Sequence, residues 1–332
     1  MTKRKPTLKD IAEKAGVSLT AASMYLNGKA KKYKLADATC ERIEKVIRKY
    51  NFIPNCHARA IASKRTMLLG VQIYENPDVS FWLKIISGIE EIIETEKYHM
   101  IFSTSHSSAE KELESVQFMM AKGIDGLIIA PTNKENNNFN YFRKLNKTIP
   151  VVTINTKIEG VSAAYNDNYS GGRIASEYLV SQGHRRIAFV GNVNFKRAEA
   201  FFDVMRENKM KPGVFPNVSS FLQAIGRFTA VFCFSDYQVL ELYNEAASKG
   251  IKVPDDISVV GYDNMDFIRL LSPLPGTVDQ CKKEVGIAAA EIVMSRLKGK
   301  TMIPDSIFKP VLREGESVKN IISIPNSDEK GE

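Results

Sequence analysis

The sequence predicts an α/β chain in two unlike parts. A three-helix head with a helix-turn-helix comes first, followed by a large body of two doubly wound parallel-sheet lobes. Three observations predict it. Residues 1–66 hold 16 Lys and Arg against 5 Asp and Glu, a net of +11, whereas the remaining residues hold 30 against 33, a net of −3. Apolar residues in the first fifty positions recur at helical spacing, with cap and stop residues between the repeats. From Met67 onward short apolar runs alternate with amphipathic stretches, the pattern of parallel sheets covered on both faces. At 332 residues the chain is long for a single core.

In the head, "PTLKDIAEKAGV" sets Leu8, Ile11, Ala12 and Ala15 on one helical face, with Thr7 and Asp10 spaced as a capping box. Gly16 can take the left-handed conformation that ends this helix. Ser18 caps a second helix in which Ala22, Tyr25 and Leu26 pack inward, and Asn27-Gly28 stops it. In "ADATCERIEKVIRKYNF", Ile43, Val46, Ile47 and Tyr50 form the stripe of a third helix that covers the other two. Two short helices joined by a turn containing Gly form a helix-turn-helix candidate. A basic head on a slightly acidic body is the electrostatic footprint of nucleic-acid binding.

In the body, the strand-like runs are "MLLGVQIY", "YHMIFSTS", "GLIIAP", "PVVTIN", "RIAFVG", "AVFCFS", "ISVVGYD" and "GTVDQ". Amphipathic stretches such as "FWLKIISGIEEIIETEK", "AEKELESVQFMMAKG", "YSGGRIASEYLVSQG" and "VLELYNEAASKG" lie between most of them. No G-x-G-x-x-G follows "RIAFVG", and no G-x-x-x-x-G-K-[ST] occurs, so a nucleotide-using enzyme on this fold has no phosphate loop to rest on. Gly171-Gly172 reads as close packing at a helix start. His99, His106 and His184 read as surface or capping residues. No catalytic residue, metal site or cofactor is expected. Cys40, Cys56, Cys233 and Cys281 lack metal or disulfide spacing. The charged start has no apolar segment behind it, and no run approaches a membrane span. The expectation is a cytoplasmic protein with no membrane partner, and an exported sugar-binding protein of the same fold is disfavoured.

The motifs "TLKDIAEKAGVS", "LNG", "YNFIPN" and "ARAIASKRT" together resemble the lactose-repressor/galactose-repressor (LacI/GalR) family of transcription regulators, and the resemblance runs through nearly the whole chain. The form "TAAS…LNGKAKKYKL" looks most like the branch of the fructose and sucrose repressors. The resemblance implies a DNA-binding head over about 1–54, a hinge helix and linker over 55–66, and a periplasmic-binding-protein-like core over 67–332. One lobe would cover about 67–165 and 281–309, the other about 166–280 and 310–326. It implies a homodimer on a pseudo-palindromic double-stranded DNA operator. Its effector would be a sugar, sugar phosphate or sugar acid, in a repressor of carbohydrate genes; the alternative is an activator of the same family with altered or lost effector binding.

Phosphate contacts position a protein on DNA while base contacts specify sequence. The second helix is the expected major-groove reader. There Leu19, Thr20 and Met24 project outward, Ala21 and Ala22 allow close approach, and Thr7, Ser18, Ser23 and Asn27 are further candidate contacts. Lys29, Lys31, Lys32 and Lys34 suit phosphates. Ala21 stands where the family usually has Thr, and Met24 where Arg is frequent, so thymine methyl groups are expected to carry much of the readout. In the hinge, Asn55, His57, Ala58 and Arg59 are candidate contacts. Ile61 takes the place of the family's minor-groove Leu wedge.

The resemblance places the effector against Phe81 and Trp82 in the first lobe, with the lone Trp stacking on a sugar ring. Asn155, Arg197, Ser235 and Asp263 are the remaining candidates, with Asn155 standing where relatives have Asp and Ser235 where they have Asn. Between Arg197 and "AVFCFS" relatives carry about a dozen more residues, including a strand, so a trimmed second lobe is expected. The tail "IISIPNSDEKGE" has no heptad repeat, which favours a dimer over a coiled-coil tetramer.

Overall fold

The computed structural model describes residues 6–53, 65–74, 80–132, 138–301 and 303–322. Two compact units result, 1–67 and 68–332.

The first unit holds α1 (Leu8–Ala15), α2 (Leu19–Leu26) and α3 (Asp37–Tyr50). Ile11, Ala15, Ile43 and Phe52 form its core, with Leu8, Val17, Tyr25, Leu26, Val46 and Ile47 packed around them. The Thr7–Asp10 capping box is made in both directions, and Gly16 ends α1 at φ +63°. Tyr50 differs from the expectation. It is exposed, and its ring lies under the ammonium groups of Lys14 and Lys49 at 4.9 and 5.7 Å. The reason is the cap. Asn51 is left-handed and its N–H donates to Arg48 O, while Phe52 N donates to Ile47 O. This closing motif turns the chain back, so that Phe52 takes the inward place instead.

The second unit contains β1 (Leu68–Ile73), β2 (His99–Thr104), β3 (Gly126–Ile129), β4 (Val151–Ile154), β5 (Ser162–Asn166), β6 (Ile187–Val190), β7 (Gly213–Phe215), β8 (Ala230–Cys233), β9 (Ser258–Tyr262), β10 (Gly276–Asp279), β11 (Ser306–Phe308) and β12 (Val311–Arg313). Its helices are α4 (Ser80–Thr95), α5 (Ala109–Ala121), α6 (Asn138–Leu145), α7 (Asn168–Ser181), α8 (Lys196–Glu207), α9 (Val218–Leu222), α10 (Asp236–Ser248) and α11 (Lys282–Leu297). One sheet runs β11-β5-β4-β3-β1-β2 and the other β12-β10-β9-β8-β6-β7. All neighbours are parallel except β10 and β12. The central strands are buried on both faces, which is why they read as unbroken apolar runs.

The chain leaves the first lobe after β5, returns between β10 and α11, and leaves again between β11 and β12. Strand order reverses direction at β1 and at β6, so each lobe has a switch point whose carboxyl edge can hold a ligand. The segment expected to be trimmed still supplies an edge strand: β7 pairs parallel with β6 through Ala188–Gly213 to Val190–Phe215. No helix among the described residues is long and apolar enough to cross a membrane.

Candidate functional site

In the head, α2 buries only Ala22, so the helix is held by one small contact face and by its cap. Ser18 Oγ accepts from Ala21 N at 3.1 Å. Leu19 is 52% exposed and Thr20 is exposed, whereas Ala21, Ser23 and Met24 are half-buried. Asn27 Nδ2 donates to Ser23 O at 2.9 Å, which ties both residues to the helix end. Thr7 is likewise engaged, with its hydroxyl donating to Asp10 Oδ2 at 2.7 Å. Beyond α2 the chain makes a tight turn closed by Tyr33 N to Lys29 O and Leu35 N to Ala30 O, and Lys29, Lys31, Lys32 and Lys34 all stand exposed on it. The exposed face therefore offers short side chains able to reach base edges, next to a block of positive charge able to reach phosphates. Asn55, His57, Ala58, Arg59 and Ile61 lie outside the described residues.

In the second unit the strand ends converge on Arg197. Phe195 precedes α8 as its N-cap, so Arg197 lies in the first turn of that helix. Its Nε and Nη2 donate to Asn168 Oδ1 at 3.1 and 2.8 Å, and its Nη1 donates to Phe234 O at 2.8 Å. The guanidinium lies 3.7 Å from the centroid of the Tyr262 ring, and Nη1 is 3.5 Å from Asp263 Oδ1. Planar donors, an aromatic face and a carboxylate together hold the group in one orientation. Asp263 follows β9 at φ +108° and is buried. Burial pushes its carboxyl pKa up, opposed by the Arg197 and Lys282 cations.

Gln280 Nε2 donates to Asp263 Oδ1, and Gln280 Oε1 accepts from Asn166 Nδ2 at 2.5 Å. Lys282 Nζ donates to Asp263 O and lies 5.8 Å from the centroid of the Phe81 ring. Thus Arg197, Asp263 and Phe81 are brought into one neighbourhood, through residues at the points where the chain crosses between lobes. Ser235 is buried and donates to Gln238 Oε1 at 2.5 Å, spending its hydroxyl inside α10. Asp236 is a clamp beneath the site. It accepts from Met265 N at 2.8 Å and Thr277 Oγ1 at 2.7 Å, and burial, then the Asp263 charge, pushes its pKa up to about 7. Gly171 and Gly172 are packing residues, as read from the sequence. A Cβ at Gly172 would lie 2.2 Å from Arg197 O, and one at Gly171 would lie 2.1 Å from the Tyr262 hydroxyl.

Trp82 departs from the expectation. It is fully buried, with Tyr74 and Phe81 set edge-on to it at 5.4 and 5.2 Å between centroids. It stands as a wall behind Phe81, with no ring face open to a sugar. Asn155 follows β4 at φ +57°, and its Oδ1 is buried with no hydrogen-bond partner; the same holds for Asn166 Oδ1 at the end of β5. Buried acceptors without donors are uncommon and mark places where a ligand donor fits. Asn166, Asn168, Gln280 and Lys282 are site residues that sequence reasoning missed. The available signal was positional, since Asn166 and Gln280 sit where the chain changes lobes. Lys84 Nζ and Asp266 Oδ1, 2.5 Å apart, add an ion pair between α4 and the segment after Asp263.

Comparison with known proteins agrees with the fold of both units. Residues 7–55 match the model "Bacterial regulatory proteins, lacI family", residues 67–199 match "Periplasmic binding proteins and sugar binding domain of LacI family", and residues 176–318 match "Periplasmic binding protein-like domain". The HTH-type transcriptional repressor PurR of Vibrio parahaemolyticus is 30% identical over 314 residues, covering 89% of this chain and 92% of that protein. The ribose operon repressor of Haemophilus influenzae is 27% identical, covering 88% and 92%. In three dimensions the lac repressor dimer bound to operator and an anti-inducer superposes with a TM-score of 0.82 at 21% identity, covering 95% of this chain and 100% of that one. These relatives are named as transcriptional repressors, PurR and a ribose operon repressor, and neither is a fructose or sucrose repressor. The chain belongs to the lacI family of bacterial regulatory proteins and is an effector-controlled, DNA-binding transcriptional repressor.

Proposed function

We propose that the chain acts in the cytoplasm as a homodimer that reads a pseudo-palindromic operator with α2, and that a small polyhydroxylated effector bound between the lobes sets its operator affinity. In this reading residues 1–54 read DNA, 55–66 form the hinge and 67–332 hold the effector. Leu19, Thr20 and Met24 face bases, while Lys31, Lys32 and Lys34 face phosphates. Arg197 and Asp263 grip the effector from the second lobe, and Phe81 and Asn155 face it from the first. The observation that carries the reading is the buried Arg197–Asp263 pair, held at the strand ends by Asn168, Gln280 and Tyr262. A ribose-bound LacI-family regulator from Enterococcus faecium shares the fold, with a TM-score of 0.67, and supports a sugar-like ligand. The "TAAS…LNGKAKKYKL" form of the head supports kinship with the fructose/sucrose-repressor branch.

The test pairs two measurements on the full chain. Selection from random duplexes should return a two-fold symmetric site whose log K falls steeply with log salt. A thermal-shift screen of sugars, sugar phosphates and sugar acids should give a stabilising compound whose effect is lost in Arg197→Met. Asymmetric sites, or a compound that stabilises Arg197→Met equally, would overturn the reading.

A further inference from the structure

We propose that Lys282 is an effector-contacting residue that makes the cleft select a polyhydroxylated ligand carrying one oxyanion, a phosphate ester or a carboxylate. The inference rests on the assignment of the cleft as the effector site and goes one step further, to the charge of what it accepts.

Lys282 opens α11, a helix that packs against α4 of the first lobe closely enough that a Cβ at Gly286 would lie 2.0 Å from Ile85 O. Its side chain reaches across to the second lobe. There Nζ donates to Asp263 O, with Asn264 O at 3.5 Å, on the Phe81 side of the Arg197 cluster. Only 3% of the residue is exposed. Lysine is almost never buried to this degree without a charged partner, and here the two nearest oxygens are neutral carbonyls. They use at most two of the three ammonium N–H groups.

Among the described residues, Lys282 has no carboxylate of its own within ion-pair distance, its contacts being the carbonyls of Asp263 and Asn264. Asp263, the carboxylate beside Lys282, is already 3.5 Å from Arg197 and accepts from Gln280. Asp279 is matched by Arg313 at 3.5 Å, and Asp266 by Lys84 at 2.5 Å. Asp236 has both oxygens spent on Met265 N and Thr277 Oγ1, and burial holds its proton up to about pH 7. Among the described residues Asp263 is the carboxylate that both buried cations share, and burial pushes the Lys282 ammonium toward its neutral form, which a ligand oxyanion beside it would oppose. An unmatched buried charge is costly, and a ligand oxyanion would neutralise it.

The orphaned acceptors Asn155 Oδ1 and Asn166 Oδ1 require donors at the same carboxyl edge of the first sheet. A simple anion cannot supply them, and a neutral sugar leaves the charge unmatched. A polyol bearing one oxyanion answers both.

The experiment uses calorimetric titration of the full-length protein with matched probes: ribose and ribose 5-phosphate, fructose and fructose 6-phosphate, glucose and gluconate, and inorganic phosphate alone. The expected result is that in one set the anionic member binds at least about tenfold more tightly than its neutral twin and than inorganic phosphate, with Lys282→Met losing that advantage and Lys282→Arg keeping most of it. The phosphate and gluconate arms separate the two oxyanion sources. The proposal is overturned if neutral twins bind equally, if inorganic phosphate binds as tightly, if no probe binds at millimolar concentration, or if Lys282→Met binds like wild type. Should Lys282→Met fail to fold by circular dichroism, Lys282→Gln replaces it, and the wild-type comparison between twins still decides. If a neutral sugar binds and Arg197→Met abolishes it, the cleft assignment stands while the Lys282 proposal falls. Binding that survives Arg197→Met removes the cleft assignment itself.

Discussion

Asp236 takes its last proton off late because the fold denies its carboxylate water and sets Asp263 nearby, so its pKa rises from 3.8 to about 7. A group whose folded pKa lies above its unfolded one adds stability that is complete below the unfolded value and is lost as pH rises through the folded value. Wild type should therefore lose stability across this window relative to Asp236→Asn, whose amide can accept from Met265 N and donate to the Thr277 hydroxyl. Urea unfolding at about pH 5 and about pH 8 should show a differential loss on the order of 2–3 kcal/mol. Parallel curves for the two proteins would show that Asp236 titrates normally. At the other end of the chain, Thr20 and Lys32 are both exposed but carry different duties. Thr20→Ala should relax preference at one symmetric pair of operator positions, by about 1–3 kcal/mol if Thr20 reads a base. Lys32→Ala should weaken every sequence alike and flatten the salt dependence by about one phosphate contact. Equal effects of the two changes on a panel of operator variants would end this division.

Elements here are positioned by small residues at crossings. Gly88 and Gly286 let α4 and α11 touch backbone to backbone: a Cβ at Gly88 would lie 2.2 Å from Lys283 O, and one at Gly286 would lie 2.0 Å from Ile85 O. Gly286→Ala should force the helices apart and cost about 1–3 kcal/mol or more, read by chemical denaturation. It should weaken effector binding as well, because α11 carries Lys282 and α4 carries Phe81. Loss of stability with unchanged ligand affinity would separate the crossing from the site. Much of this level was legible in the sequence. Thr7, Gly16 and Ser18 marked the head's helix ends, because caps act through near neighbours, and the central strands showed as apolar runs because both their faces are covered. What stayed hidden depends on distant chain. β5, written "SAAYN", and the three-residue strands β7, β11 and β12 become strands through their neighbours. Lys282 reads as a surface lysine until the return crossing after Gln280 buries it. Trp82 beside a loop reads the same whether its faces are open or, as here, covered by Tyr74 and Phe81.

For the whole molecule, a ligand changes operator affinity only as far as it binds the two states of the protein unequally, and that coupling is reciprocal. Residues from both lobes meet at Asp263: Arg197 from the second, with Tyr262 under its guanidinium, and Lys282 from the first, with Phe81 near its ammonium, while Gln280 sits at the crossing between them. A ligand that replaces part of this network stabilises one arrangement of the lobes over the other. Asp263→Asn keeps an acceptor for Gln280 while removing the charge, so ligand-free operator affinity should stay within a few-fold of wild type and the effector response should disappear. The measurement is operator affinity by fluorescence anisotropy, with and without whichever screened compound gives the largest thermal shift. Reciprocity supplies an internal check. Saturating the wild-type dimer with operator must change its affinity for that compound at each of the two sites by a factor, typically about 5–150-fold, whose product over both sites equals the factor by which the compound changes operator affinity. A mismatch would mean that further molecules of the compound bind beyond the two cleft sites. A full response in Asp263→Asn would move the effector away from the strand ends of the second lobe altogether.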